Sequence, residues 1–301
     1  MCIRDRRKTP KKACALPSAG DPAFCHECQI PISGSVMDYV SETRPAPSGK
    51  ASDEVLRIAE SATATFFRAP TDNDKSFGNW LAKDWKNHKL DTPHIVHVSK
   101  DTVSGGSVKT EDYQFAEGSI RVTTTVRLLP DASVDIIQEY ECRGTLPELP
   151  RMGIQLTLPS VFEQIEYYGR GPWDTYPDRW QSSTVGLWSS TVRSEYAHFP
   201  VPQDCGNHSE TSCVTLRTAD RRTFRVDATD TPFTFSALHY TPQDIAAVRH
   251  DHELSERDAT ILSIDCATLG IGNSSCGPGV LKRYSIDKSI PHCVKINIRL
   301  Y

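Results

Sequence analysis

Three runs of this 301-residue chain gather residue types that do chemistry. Tyr167-Tyr168-Gly169-Arg170-Gly171-Pro172-Trp173-Asp174-Thr175-Tyr176-Pro177-Asp178-Arg179 combines aromatic rings, glycines and two Asp/Arg pairs. Rings beside carboxylates suit a sugar-binding platform, and the same residues also make a rigid loop pinned by ion pairs and ring packing. It is no phosphate loop, because Gly169-Arg170-Gly171 lacks a third glycine and a following helix. Arg68-Ala69-Pro70-Thr71-Asp72-Asn73-Asp74 has a D-x-D spacing open to calcium, without the glycine and distal glutamate of an EF-hand. Asp and Asn bond nearby backbone amides, so a structural turn balanced by Arg68 is the default reading. Gly270-Ile271-Gly272-Asn273-Ser274-Ser275-Cys276-Gly277-Pro278-Gly279 permits close backbone approach and could line a ligand site. Cys276 as a nucleophile would need a base that the sequence does not place beside it, so no catalysis is assigned to it.

Other candidates carry less. Cys25-His26-Glu27-Cys28 has zinc or thiol-redox spacing, but no second C-x-x-C or H-x-x-x-H completes four ligands. Cys142, Cys205, Cys213, Cys266, Cys276 and Cys293 are widely spaced and read as free core thiols. A glycosidase needs two carboxyls at a set separation. Spacing along strands cannot place Glu139, Glu141, Glu148, Glu163 and Glu166 that way, and solvated faces are their default.

The elements that must position these runs are strands. Ile120, Val122, Thr124, Val126 and Leu128 alternate with Arg121, Thr123, Thr125 and Arg127, the period of a half-buried antiparallel strand. Pro130-Asp131 turns the chain, and Val134–Tyr140 returns. Ile154, Leu156 and Leu158 alternate again. Cys213–Arg217, Thr223–Asp227, Phe233–Leu238, Thr260–Asp265 and Val294–Leu300 are further strands. Many short strands with turns between them make a large sandwich or barrel. Two helices are expected, over Trp80–Leu90 from Leu81, Trp85 and His88, and after Thr241 from its cap and Pro242. The net charge of −4 gives no reason for nucleic acid or anionic lipid as a partner. No apolar run approaches a membrane span. Residues 1–61, with six Lys or Arg against one Asp in the first twelve, read as a basic, unstructured tail with a short helical hint at Asp53–Ala59. The tail is read as a fragment boundary or a mis-called frame. One large β domain over 62–301 follows.

The ordered set of runs resembles one family. Phe67–Asp74, Tyr168–Pro172, Tyr176–Arg179, Pro202-Gln203-Asp204 with Gly206-Asn207, Phe235–Tyr240, His252-Glu253-Leu254 and Gly270–Pro278 look like successive signatures of the small-chain or C-terminal domain of family-two β-galactosidases. The match runs from about Phe66 to Tyr301. The resemblance implies an all-β, antiparallel supersandwich of the galactose-mutarotase type. It implies a part in retaining hydrolysis of β-D-galactosides such as lactose by two glutamates. In the family these sit in an upstream barrel, and no βα alternation marks a barrel here. No residue of this chain is therefore expected to be catalytic, and the chain alone is expected to be inactive. Magnesium and sodium are expected for the complete enzyme, with no cofactor in this chain. The resemblance places Cys276 at the substrate rim, where the best-known bacterial relatives carry a stacking tryptophan. It places Ser76, Phe77, Gly78 and Asn79 in a mobile rim loop that could close over substrate. Expected partners are a barrel-bearing part or subunit, the galactoside and further copies in an oligomer, in the cytoplasm. Two other readings stand beside this one: a non-catalytic galactoside-binding sandwich using Trp173, Tyr176 and the Cys276 loop, and an assembly domain.

Overall fold

The computed structural model describes residues 49–75 and 81–301. Helix α1 (Gly49–Glu60) leads into β1 (Thr63–Thr65), then α2 (Asp72–Lys75) and α3 (Leu81–Asn87). A long run of strands follows: β2 (His94–Val103), β3 (Gly106–Phe115), β4 (Gly118–Leu128), β5 (Val134–Gly144), β6 (Arg151–Leu158), β7 (Gln164–Gly171) and β8 (Thr184–Thr191). β9 (His208–Thr211), β10 (Cys213–Arg217), β11 (Thr223–Ala228) and β12 (Phe233–Leu238) precede α4 (Pro242–Ala247), and β13 (Thr260–Thr268) and β14 (His292–Leu300) complete the series. Among the described residues the strands form two sheets, β2-β3-β4-β5-β14-β11-β10-β7-β8 and β1-β6-β13-β12-β9, with antiparallel pairing throughout. The expected all-β sandwich is the fold. No described helix is long and apolar enough to cross a membrane.

Alternation builds the large sheet. Ile120, Val122, Thr124 and Val126 are buried on one face of β4, and the residues between them are half-buried on the other. Thr124 is tolerated in the core because Gln138 Nε2 donates to its hydroxyl at 2.8 Å. Phe66 anchors the open end, edge-on to Tyr113 at 5.1 Å, Phe115 at 5.7 Å and Tyr140 at 6.2 Å. On α3, buried Trp85 donates its indole N–H to the Glu148 carbonyl at 2.7 Å. Thr241 caps α4 as its sequence requires, accepting from the Asp244 amide in a capping box.

Two expectations are corrected. The domain does not begin after residue 61: Gly49–Glu60 is a helix, and Val55, Ile58 and Ala59 lie in the core. An amphipathic face, not a disordered tail, explains the apolar residues there. The rest of the expected tail, residues 1–48, lies outside the described residues. The aromatic run from Tyr167 to Gly171, read as a loop, is the end of strand β7.

The small sheet is covered on both faces. Met152, Ile154, Leu156 and Leu158 of β6 face the apolar core. The opposite face carries Arg151, and its partner Asp265 on β13 is equally buried. The Arg151 guanidinium binds both carboxylate oxygens, with Nε at 3.2 and 3.1 Å. Asp204 and Tyr176, from the motif-bearing loops, act electrostatically on Arg151.

Burial pushes the Asp265 carboxyl up to about 6, against the pull of Arg151. The folded state thus holds this proton more tightly than the unfolded chain does. Its contribution to stability is full below pH ~4 and is lost as pH rises through about 6. Thermal unfolding of the native protein and of Asp265→Asn, compared from pH 4 to pH 7, should show the native protein losing ground to the variant across this window. A difference independent of pH would refute it.

Candidate functional site

The loop after β13 is held by side chains from two distant segments, one carrying Arg68 and Asn73 and the other Asp178 and Arg179. Arg68, buried just after β1, donates from Nη1 to the Leu269 carbonyl at 2.7 Å and from Nη2 to the Gly270 carbonyl at 3.1 Å. The same guanidinium grips Asp74 of α2 through Nε at 3.2 Å and Nη2 at 2.8 Å. Asp74 also accepts from the amide and hydroxyl of Thr71, each at 2.9 Å. The Arg68 guanidinium carbon lies 5.4 Å from the Trp85 ring centre and 5.8 Å from that of Tyr176. Burial works against the Arg68 charge, but Asp74 more than offsets it, and the pKa is raised.

The neighbouring motif residues complete the cradle. Asn73 donates to the Gly272 carbonyl at 2.9 Å and accepts from the Ser275 amide at 3.1 Å and hydroxyl at 2.7 Å. Asp178 accepts from the amides of Ile271 at 3.0 Å and Gly272 at 2.7 Å. Arg179 donates to the Gly272 carbonyl and, at 2.6 Å, to the Asn273 side-chain oxygen. Glycine is required twice: a Cβ on Gly270 would stand 2.7 Å from the Asp178 carboxyl carbon, and Gly272 sits at φ +62°. Gln203 accepts from the Asp72 amide at 2.8 Å. Asp204 accepts from the Tyr176 hydroxyl and the Asn207 amide group, both at 2.7 Å. Two runs thus grip this loop, and Gln203 and Asp204 brace them from a third.

Cys276 is exposed on the loop so held, its amide donating to the Asn273 carbonyl at 3.0 Å. Ser76, Phe77, Gly78 and Asn79 lie outside the described residues. Tyr176 is buried with its hydroxyl on Asp204, so it offers no face to a ligand. Trp173 is 69% exposed. Trp180 is partly exposed with Arg170 packed 4.6 Å from its ring centre. His239 lies outside this cradle, held by Glu163 at 2.7 Å and the Ala259 carbonyl. Glu253 caps a turn through the Arg249 and His250 amides.

Sequence reasoning missed a buried triad next to the cradle. His208 Nε2 meets Glu195 at 2.7 Å, and Nδ1 meets the Tyr167 hydroxyl at 2.9 Å. Burial raises the Tyr167 pKa. The three residues come from separate strands and a loop, with no shared spacing that could have announced them. Asp74, Asp178 and Asp204 each accept at least two hydrogen bonds, so their lone pairs hold backbone and side chains in place. The chemistry on offer is presentation of a shaped loop. Among the described residues, no three His, Cys, Asp or Glu side chains are grouped to hold a metal ion.

The family model described as "Beta galactosidase small chain" matches residues 46–298. A β-galactosidase of Staphylococcus xylosus is 29% identical over 250 residues, 76% of this chain and 23% of that protein. A β-galactosidase of Priestia megaterium is 27% identical over 272 residues, 87% of this chain and 26% of that protein. The chain therefore spans about a quarter of the length of the curated relatives it matches. A putative aldose 1-epimerase of Escherichia coli K12 aligns with 69% of this chain and 68% of its own at 10% identity, with a TM-score of 0.38.

Asp178→Ala should free the loop without unfolding the sandwich. Two lost acceptors are worth about 1–3 kcal/mol locally. Hydrogen exchange at the Ile271 and Gly272 amides should accelerate at least about tenfold while β4 and β5 stay protected. Unchanged exchange there would show that Asp178 does not hold the loop.

Proposed function

The chain belongs to the β-galactosidase small-chain family, and from that premise we propose that it is the C-terminal portion of a family-two β-galactosidase, shaping the rim of an active site completed by a barrel-bearing large-chain part. One observation carries this reading: two signature runs grip the backbone of the loop that exposes Cys276, and a third braces them through Gln203 and Asp204. A fold that needed this loop only as a connection would not require so many side chains to hold it. The reaction is retaining hydrolysis of terminal β-D-galactosides, lactose among them, with both catalytic glutamates in the large-chain part. The residues here orient the loop against the sugar and limit the access of water. Magnesium and sodium belong to the large-chain part on this reading, and no step runs through them here.

The isolated chain should not hydrolyse a nitrophenyl β-galactoside, and turnover should appear when the separately expressed large-chain part is added. Hydrolysis by the isolated chain, at a rate that tracks its purity, would overturn the assignment. In the assembled enzyme, Cys276→Trp should lower KM for lactose about two- to tenfold by stacking, with kcat changed less. No change in KM would remove Cys276 from the rim.

A further inference from the structure

Strand β2 ends the nine-stranded sheet, and its outer edge pairs with no described strand. It is exposed along its whole length except at Ser99, which is half-buried. The exposed residues include four large apolar ones, Ile95, Val96, Val98 and Val103, with Val96 and Val98 more than half exposed. Such an edge is a template for another strand unless charge, proline or a bulge blunts it. β2 has no proline, and its register irregularity is confined to Ile95–His97. His97 through Val103 form a regular run.

The hydrogen-bonding parity of this run follows from its hairpin. Val103 pairs with Gly106 across the two-residue turn Ser104-Gly105, where Gly105 has φ +77°. In such a hairpin the pair flanking the turn exchanges both hydrogen bonds. Val103, Asp101 and Ser99 therefore bond to β3, and Val98, Lys100 and Thr102 turn their N–H and C=O groups outward. A second antiparallel strand must bond to these three.

We propose that the occupant of this edge is the β2 strand of a second copy of the chain, joined about a two-fold axis at Ser99. Charge excludes two registers and favours a third. Outward parity allows only registers in which a residue faces one an even number of positions away. Centring the axis on Lys100 would place lysine against lysine, and centring it on Asp101 would place aspartate against aspartate. Centring it on Ser99 sets His97 of each copy against Asp101 of the other and lays Val98 beside the stem of Lys100. The strand is self-complementary in this register and not in those centred on Lys100 or Asp101, and of the registers that avoid like charges this one gives Asp101 a polar partner. Asp112 lies opposite His97 on β3 but is held by Arg121 at 2.7 and 3.0 Å, and Lys100 is engaged by Glu60 at 3.4 Å, so Asp101 is the carboxylate left for His97 of the second copy. The pairing would join two nine-stranded sheets into one continuous sheet.

Sedimentation equilibrium of the full 301-residue chain over a range of concentrations tests this. The expected result is a reversible dimer of twice the 33.5 kDa chain mass. Lys100→Pro removes an outward N–H that no described strand uses, so it should abolish the dimer while the thermal midpoint of the monomer stays near native. Asp101→Lys should weaken the dimer at least about tenfold, and adding His97→Asp should restore it. A native chain that is monomeric at every concentration, or a Lys100→Pro dimer of native strength, would overturn the proposal. Monomers whose Val98, Lys100 and Thr102 amides resist hydrogen exchange would do the same, by showing that another segment holds the edge.

Discussion

A guanidinium buried at the end of the sandwich dictates most of what surrounds it. Arg68 is shut away from water with its positive charge intact, and a buried charge is tolerated only when it is paired and its donors are satisfied. Asp74 supplies the pairing charge, and the Leu269 and Gly270 carbonyls take two further donors. These carbonyls are the first groups of the exposed loop, so the electrostatic requirement of one side chain fixes where that loop leaves the sheet. Trp85 and Tyr176 close over the guanidinium and tie the positions of α3 and the loop after β7 to the same point. The pair is thus a device for geometry more than for stability, since buried ion pairs contribute little net energy over an apolar replacement.

The buried polar groups of the small sheet extend the same logic. Arg151 and Asp265 repeat the arrangement on the sheet itself, and Asp204 acts on both arginines while holding Tyr176 and Asn207. Aspartates at these places accept from backbone amides and fixed side chains, which orders long loops that carry little apolar surface of their own. The loop that exposes Cys276 is fastened in this way by Asp178, which accepts from the Ile271 and Gly272 amides.

The strands were largely legible because period-two alternation records burial directly. β10 and β12 begin and end where their residue patterns place them, and α4 starts at the cap that Thr241 and Pro242 announce. β8 was not legible, because at the sheet edge Val185 and Leu187 are exposed and alternation carries no burial signal. The helix at Gly49–Glu60 was underestimated because its apolar face is short and its neighbourhood is basic and rich in proline and serine. For the site, residue types and order pointed to the right segments, and the turn at Arg68–Asp74 was read correctly as structural. That Asp178 and Asn73, 105 residues apart, grip the same backbone depends on strand crossovers, which local sequence does not encode. The burial of Tyr176 is a further consequence of Arg68 and had no signal in its own run.

The central claim is that Arg68 fixes the Cys276 loop. Arg68→Met keeps bulk and removes the charge, leaving Asp74 buried and unpaired. Urea unfolding combined with hydrogen exchange across residues 269–276 measures both consequences at once. The account predicts a loss of about 3–5 kcal/mol, together with faster exchange in that loop than in β4 or β5. Stability within about 1 kcal/mol of native and undiminished protection in the loop would contradict it.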